Sequence, residues 1–279
     1  MERQNKYNAQ DEIMRWNRYS RANNEFPQVR RNEIREMLVR ASPKPGNKII
    51  EVGIGNGILT YELAKAISPS GAVYAFDYRK ENLNEAMARN SEALPIIFAP
   101  QINNPQTGSY SFPLSDGSVD TVTSLAALHH YDDRSLKTEI TGRRKAFKEF
   151  ARVLKKGGRL IIGDILDDTP LQRYFDEGMD NPKSPVYCVP RGHPHDFVNK
   201  ELVNTLCKES GLSLLEFTAI NTSLEFNTEK DAGIFLNTVH NAKCSYAESL
   251  NHAESFLGSF KKDGKFYINW PSFFMVAEK

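Results

Sequence analysis

Cysteine is scarce in this chain of 279 residues: Cys188, Cys207 and Cys244 are scattered and odd in number. They make neither a disulfide framework nor a spaced metal site, which fits a reducing, cytoplasmic setting. Long apolar runs are also missing. No stretch approaches the ~20 residues needed to span a bilayer, and the opening MERQNKYNAQDE is polar, without an apolar leader. Nor is there an excess of one charge sign, since 36 Lys and Arg face 35 Asp and Glu, for a net charge of +1. That balance gives no reason to expect nucleic acid or a membrane surface as partner. The early cluster of Arg15, Arg18, Arg21, Arg30, Arg31 and Arg35 reads as the solvated faces of amphipathic helices. No internal repeat and no low-complexity tract occurs. With 40% apolar and 25% charged residues, the composition is that of an ordinary globular protein, expected as a monomer or homodimer.

Against that background, strands and helices alternate from residue 48 to about 165. Lys48–Val52, Ala72–Phe76, Leu94–Ala99, Val119–Leu125 and Arg159–Gly163 read as strands, and Pro95 sends the third to a sheet edge. Helical spacing follows the first strand (Leu59, Leu63, Ala66, Ile67) and recurs over Glu81–Asn90 and Arg144–Leu154. Lys156, Gly157 and Gly158 are expected to cap the last of these helices. Such alternation implies an α/β fold with parallel pairing and helices on both faces. Leu212–Ile220 and Pro271–Glu278 are strand-like, with helical stretches near 230–241 and 246–257 between them. Residues 1–42 read as an N-terminal helical cap on a main domain over 43–279. Lid insertions are expected near 165–198 and 227–264, because long irregular segments in a compact domain are commonly functional.

The most informative stretch is IIEVGIGNGILTYELA, residues 49–64. A dinucleotide site wants Gly-x-Gly-x-x-Gly, but the third glycine position is Ile58 and the extra glycine comes one place early, at Gly57. A P-loop is excluded because no Gly-Lys-Ser/Thr follows. Glycines in such a turn admit positive φ and the close approach of a ligand. Glu51, at the strand end, would repel a pyrophosphate and attract a cation. The pattern therefore asks for an adenosine-like ligand with positive charge and no phosphates.

At Ile49, Ile50, Glu51, Val52, Gly53, Ile54, Gly55, Asn56 and Gly57 the chain resembles the first motif of the class I S-adenosylmethionine-dependent methyltransferases. Asp77 ends the second strand 20 residues past Gly57, where that family places an acid for the ribose hydroxyls. FPLSDGSVDTVTSLAALHHYDD (112–133) and EFARVLKKGGRLIIGDI (149–165) resemble the family's fourth-strand and fifth-strand regions. Their wording is nearest to the small-molecule branch that includes the ubiquinone/menaquinone-biosynthesis methyltransferases. The resemblance implies a Rossmann-like seven-stranded sheet, mostly parallel, whose last strand is antiparallel. It implies S-adenosyl-L-methionine held by Glu51, Gly53, Ile54, Gly55, Asn56, Gly57, Asp77, Tyr78, Ser124 and Leu125. The usual adenine-binding Asp after the third strand is replaced by FAPQINNP (98–105), so Gln101 and Ile102 are expected to take over that contact.

On this reading the reaction is a methyl transfer by in-line displacement to a small-molecule acceptor, in which alignment and exclusion of water supply much of the rate. His129 and His130, following the fourth strand at the open end of the sheet, are the candidate bases; the competing reading is that one merely caps the strand. Trp16, Tyr19, Asp164, Tyr187, His193, His195 and Trp270 are candidate acceptor contacts, with plain core or solvated loop as the alternative. Phe273, Asp167 and Asp168 belong to the same wider set. No third ligand accompanies the His-x-His of 193–195, so no metal is expected. The place where exocyclic-amine methyltransferases carry Asn/Asp-Pro-Pro-Tyr/Phe reads Ser124-Leu125-Ala126-Ala127, which disfavours a nucleic-acid acceptor. A non-methylating enzyme of the same fold, or a binding protein that kept the motif, is the alternative.

Overall fold

The computed structural model describes residues 9–100, 111–131, 141–179, 181–187 and 197–279, without the side chains of 9–13 and 15. In chain order it has α1 (Ala9–Glu25), α2 (Arg31–Ala41), β1 (Lys48–Val52), α3 (Ile58–Ile67), β2 (Ala72–Asp77), α4 (Lys80–Arg89) and β3 (Ile96–Pro100). Next come β4 (Val119–Leu125), a short turn at Leu128–His130, α5 (Thr141–Val153), β5 (Leu154–Ile165) and α6 (Pro170–Arg173), which runs into a π-helical turn at Tyr174–Met179. The remaining elements are α7 (Lys200–Glu209), β6 (Ser213–Asn221), β7 (Leu224–Phe226), α8 (Glu229–His240), α9 (Tyr246–Leu257), β8 (Ser259–Lys262), β9 (Lys265–Ile268) and β10 (Pro271–Glu278). The chain divides into two units. A sheet unit holds Glu33–Ile165, Val198–Ile220 and Ser272–Lys279, and an accessory unit holds Met1–Asn32, Leu166–Phe197 and Asn221–Pro271.

The sheet unit is built on seven strands in the order β3-β2-β1-β4-β5-β10-β6. β1 lies parallel to β2 and β4, β4 parallel to β5, and β10 antiparallel to β5. Burial follows from this order. Ile49, Ile50 and Val52 of central β1 are fully enclosed, as expected of a strand with helices on both faces. β3 is half exposed, its place at the edge agreeing with Pro95 just before it. Leu59, Leu63, Ala64 and Ile67 of α3 pack on Ile49 and Val73 in one cluster. Ile34, Met37 and Ala41 belong to the same cluster, so α2, which the sequence groups with the first helix, contributes to the sheet unit's core.

Two local expectations need correction. β5 begins at Leu154, five residues ahead of Arg159, so Lys156–Gly158 continue a strand and do not cap α5. Gly157 has φ +76, its amide donates to the Lys279 carbonyl, and Lys279 N donates back to the Gly158 carbonyl. Strand pairing here satisfies groups that a helix cap would otherwise have to satisfy.

The accessory unit contains a three-stranded antiparallel sheet, β7-β9-β8, that the reading of residues 221–271 overlooked. Its β8–β9 hairpin closes through Asp263 (φ +50) and Gly264 (φ +73), the pair of left-handed residues that a two-residue hairpin turn requires. Helices α8 and α9 both start with capping boxes, Thr228 with Asp231 and Ser245 with Glu248. They cross closely at Gly233, where an added Cβ would lie 2.5 Å from the Tyr246 carbonyl oxygen.

Candidate functional site

Three glycines follow β1, and they serve different purposes. Gly53, Gly55 and Gly57 all have positive φ, +74°, +54° and +80°. A Cβ on Gly53 would stand 2.6 Å from that of Ala127, and one on Gly57 3.0 Å from that of Ala86. Both glycines are therefore demanded by packing. Among the described residues, a Cβ on Gly55 would meet nothing within 4 Å. Gly55 thus presents bare backbone to open space, the condition for a ligand to lie against the chain.

Two buried carboxyl groups flank this turn. Asp77, at the end of β2, accepts from the Gly55 amide at 3.0 Å and, through its other oxygen, from the Arg79 amide at 2.9 Å. Burial pushes it up to about 6, against the pull of those two amides, of the Asn82 side chain and of the Arg79 charge. An ionised carboxylate offers about four acceptor positions, so both oxygens keep capacity for a diol. Glu51 lies one strand over, 2% exposed, with Thr60 Oγ1 of α3 donating to its Oε2 at 2.6 Å. Burial raises it to about 8; the Thr60 hydrogen bond opposes that rise and the Asp77 charge adds to it. Nothing in its setting resembles a surface carboxylate.

Across the same end of the sheet stand the elements following β4 and β5. Ala126 closes β4 with φ +52, and its amide donates to the Gly163 carbonyl at 2.7 Å. Ala127, against Gly53, then leads into the turn Leu128–His130. In that turn His129 is bound to Asp164 twice: Nδ1 lies 2.6 Å from Oδ1, and the amide donates to Oδ2 at 3.1 Å. The Ile165 amide also donates to Oδ1, at 2.7 Å. Burial raises the Asp164 carboxyl, but the His129 charge and these hydrogen bonds outweigh it and hold the group below the usual carboxylate range. The His130 ring lies tilted against that of His129, centroids 4.2 Å apart.

The other expected site residues fall in several places. Ser124 is fully buried; its hydroxyl donates to the Val52 carbonyl at 3.1 Å and lies 2.9 Å from the Tyr131 hydroxyl, so it ties β4 to β1. Leu125 packs against the α2–α3 core cluster. Ile54 is buried in a cluster with Ala75, Leu83 and Ala86, and the carbonyl of Asn56 accepts from Arg89 at 3.4 Å. Tyr78 is half-buried beside Asp77. Asp164, an expected acceptor contact, has both oxygens bonded to His129 and one also to the Ile165 amide, with a side chain 0% exposed. Phe273 stacks on Phe217 within the sheet and is core. Trp16, Tyr19, Tyr187 and Trp270 lie in the accessory unit, where Trp16 packs edge-on to Tyr19 and Trp270 edge-on to Phe175. Asp167 and Asp168 are in that unit too. Gln101, Ile102, His193 and His195 lie outside the described residues. Among the described residues no group of three metal-ligating side chains is found, and no helix is long and apolar enough to cross a membrane. Sequence reasoning missed Thr60 and Arg79. A hydroxyl in the first turn of the helix that follows an acid and a glycine turn was the available signal for Thr60.

Residues 50–162 match the family described as a methyltransferase domain. Among curated proteins, the chain is 30% identical over 137 residues to a demethylmenaquinone methyltransferase of Corynebacterium kroppenstedtii, covering 49% of this chain and 48% of that one. It is 26% identical over 191 residues to the O-methyltransferase cnsE of Penicillium expansum, covering 68% and 60%. The chain spans between 33% and 64% of the length of the first three curated relatives it matches. Among solved structures, a SAM dependent methyltransferase from Aquifex aeolicus superposes with TM-score 0.52 at 20% identity, over 72% of this chain and 91% of that one, a likeness of fold.

Proposed function

We propose that this chain, which carries a methyltransferase domain over residues 50–162, transfers a methyl group from S-adenosylmethionine to a small organic acceptor. The observation that carries the reading is the open face of Gly55 between two buried acids, Glu51 and Asp77. No phosphate-binding arrangement explains carboxylates at that position, whereas a cationic nucleoside does. Glu51 takes the ammonium end of the donor, Asp77 the ribose diol, and the turn Gly53–Gly57 the adenosine body. Gln101 and Ile102 are proposed for the adenine, and Tyr78 for its flank.

When bound, S-adenosylmethionine supplies an electrophilic methyl carbon on a sulfonium, whose C–S electron pair returns to sulfur as the new bond to the acceptor forms. The protein's own contribution is positioning, dryness and charge. For an O–H acceptor, His129 is the base. Asp164 holds Nδ1 and the main-chain amide of this residue, which fixes the ring and leaves Nε2 as the nitrogen that takes a proton. His130, whose ring lies tilted against it, is proposed to line the approach. Trp16, Tyr19, Tyr187, His193, His195 and Trp270 are proposed as acceptor contacts.

A small-molecule acceptor is supported by the names of the relatives, an O-methyltransferase and a quinone-biosynthesis methyltransferase. A cytoplasmic monomer or homodimer is proposed on composition. The test is incubation with methyl-labelled S-adenosylmethionine and a panel of hydroquinones, phenols and hydroxy acids, followed by mass spectrometry. The expected result is a product heavier by one methylene unit, together with calorimetric binding of S-adenosylhomocysteine. A protein that binds neither donor nor demethylated product would overturn the reading.

A further inference from the structure

Glu51 is an unusual receptor for a cation. It sits under the glycine turn, 2% exposed, and its described hydrogen-bond partner is a neutral hydroxyl, that of Thr60. The groups around it come from three elements. On the α3 side Thr60 itself is 0% exposed. On β2 the register partner of Glu51 is Ala75, and the nearest charge there is negative, Asp77, backed by Arg79. On β4 the register partner is Thr123, whose hydroxyl is spent on the Ile50 carbonyl. Among the described residues no cationic side chain is paired with Glu51. An isolated carboxylate so enclosed costs several kcal/mol to keep ionised, and such groups neutralise instead.

We propose that burial keeps Glu51 a neutral acid in the empty site while Thr60, a positioning residue, fixes its Oε2, and that a ligand bearing an ammonium group expels one proton from Glu51 as it binds. This rests on the cationic-donor reading given above. The hydroxyl fixes Oε2, so that the ligand's ammonium approaches Oε1. Once the ion pair forms, the charge that burial disfavoured becomes the favoured state. The O–H proton of Glu51 passes to solvent and the ammonium keeps its own, so charge and protons balance. Linkage then fixes the direction of the pH effect: over the range where the free site is protonated and the complex is not, affinity rises about tenfold per pH unit. Burial places that range below about 8 for Glu51. Asp77, the other titrating neighbour, changes charge near 6, so the window to study is pH 6.5–8.

The experiment is calorimetry of the full chain with S-adenosylhomocysteine, in buffers of differing ionisation enthalpy, between pH 6.5 and 8. 5′-Methylthioadenosine, which has the nucleoside and thioether but no amino-acid end, is the control. The expected result is close to one proton released per S-adenosylhomocysteine at pH 6.5, falling toward pH 8, and none for methylthioadenosine. Thr60→Val should move the release profile to higher pH, and Thr60→Ser, which keeps the hydroxyl, should restore it. Glu51→Gln should abolish release and flatten the pH dependence. S-adenosylhomocysteine that binds with no proton release, or a Thr60→Val profile superposed on the parent's, would overturn this inference while leaving the donor assignment standing. Absence of any binding would overturn both.

Discussion

Two halves of one end of the sheet handle buried charge in opposite ways. Beside β1 and β2, Glu51 and Asp77 are enclosed and pushed toward neutrality, and the backbone between them opens onto empty space at Gly55. Beside β4 and β5, Asp164 is just as enclosed but is held ionised by His129 and main-chain amides. A buried acid whose ionised form is met by donors inside the chain can fix a neighbouring side chain; one with no cation paired to it among the described residues suits a partner from outside. On the function proposed above, the difference separates binding from chemistry along a single edge, and it can be broken from either side.

The largest effect is expected from Gly55→Val, which puts a branched Cβ into the open space and forces a β-branched residue to positive φ. Donor binding should disappear in calorimetry while circular dichroism shows a folded chain; retained tight binding would misplace the ligand. Next is Asp164→Asn, which keeps the shape but removes the charge that orients His129. Turnover should fall by about 10²–10⁴, the range of a general base, with donor affinity unchanged. A fall in donor affinity instead would erase the distinction between the two halves. Asp77→Ala, on the binding side, should weaken the donor by about 1–3 kcal/mol without a comparable change in the chemical step under saturating donor.

Gly53→Ala sharpens the comparison within the turn. Its Cβ would press on Ala127 at 2.6 Å, so it should cost about 1–3 kcal/mol in chemical denaturation, whereas the open face of Gly55 has no such neighbour to displace. A further effect concerns pH. The folded-state pKa of Glu51 is raised from 4.5 to about 8, so its contribution to stability is fully present below about 4.5 and is lost as pH rises toward 8. Unfolding of the empty protein at pH 8 should therefore be harder for Glu51→Gln than for the parent, and the gap should close at pH 5.

Much of the sheet was legible because its strands are buried on both faces and announce themselves as apolar runs between glycine and proline. β1, β4 and β10 occupy the residues read as strands, and the edge position of β3 follows from Pro95. The accessory unit was less legible. Its β8 and β9 are four residues each, and β8 is largely solvent-facing, so their apolar signal is weak, although the Asp263-Gly264 pair is a strong turn signal that went unused. In the site, residue type and order pointed to Glu51, the glycines and Asp77. They did not distinguish the glycine that faces open space from the two that packing requires, since that depends on Ala127 and Ala86, which are remote in sequence. For the same reason Asp164 read as a loop acid: its partner, His129, lies on a different strand's connection.

The strand that fills the gap between β5 and β6 is β10, which follows both in the chain. Until β10 is in place, β5 has one row of amides and carbonyls with no neighbour, and β6 has no place in the sheet. Closing the sheet therefore waits on pairing between segments far apart in sequence, and during that wait the seam along β5 is open to wrong partners.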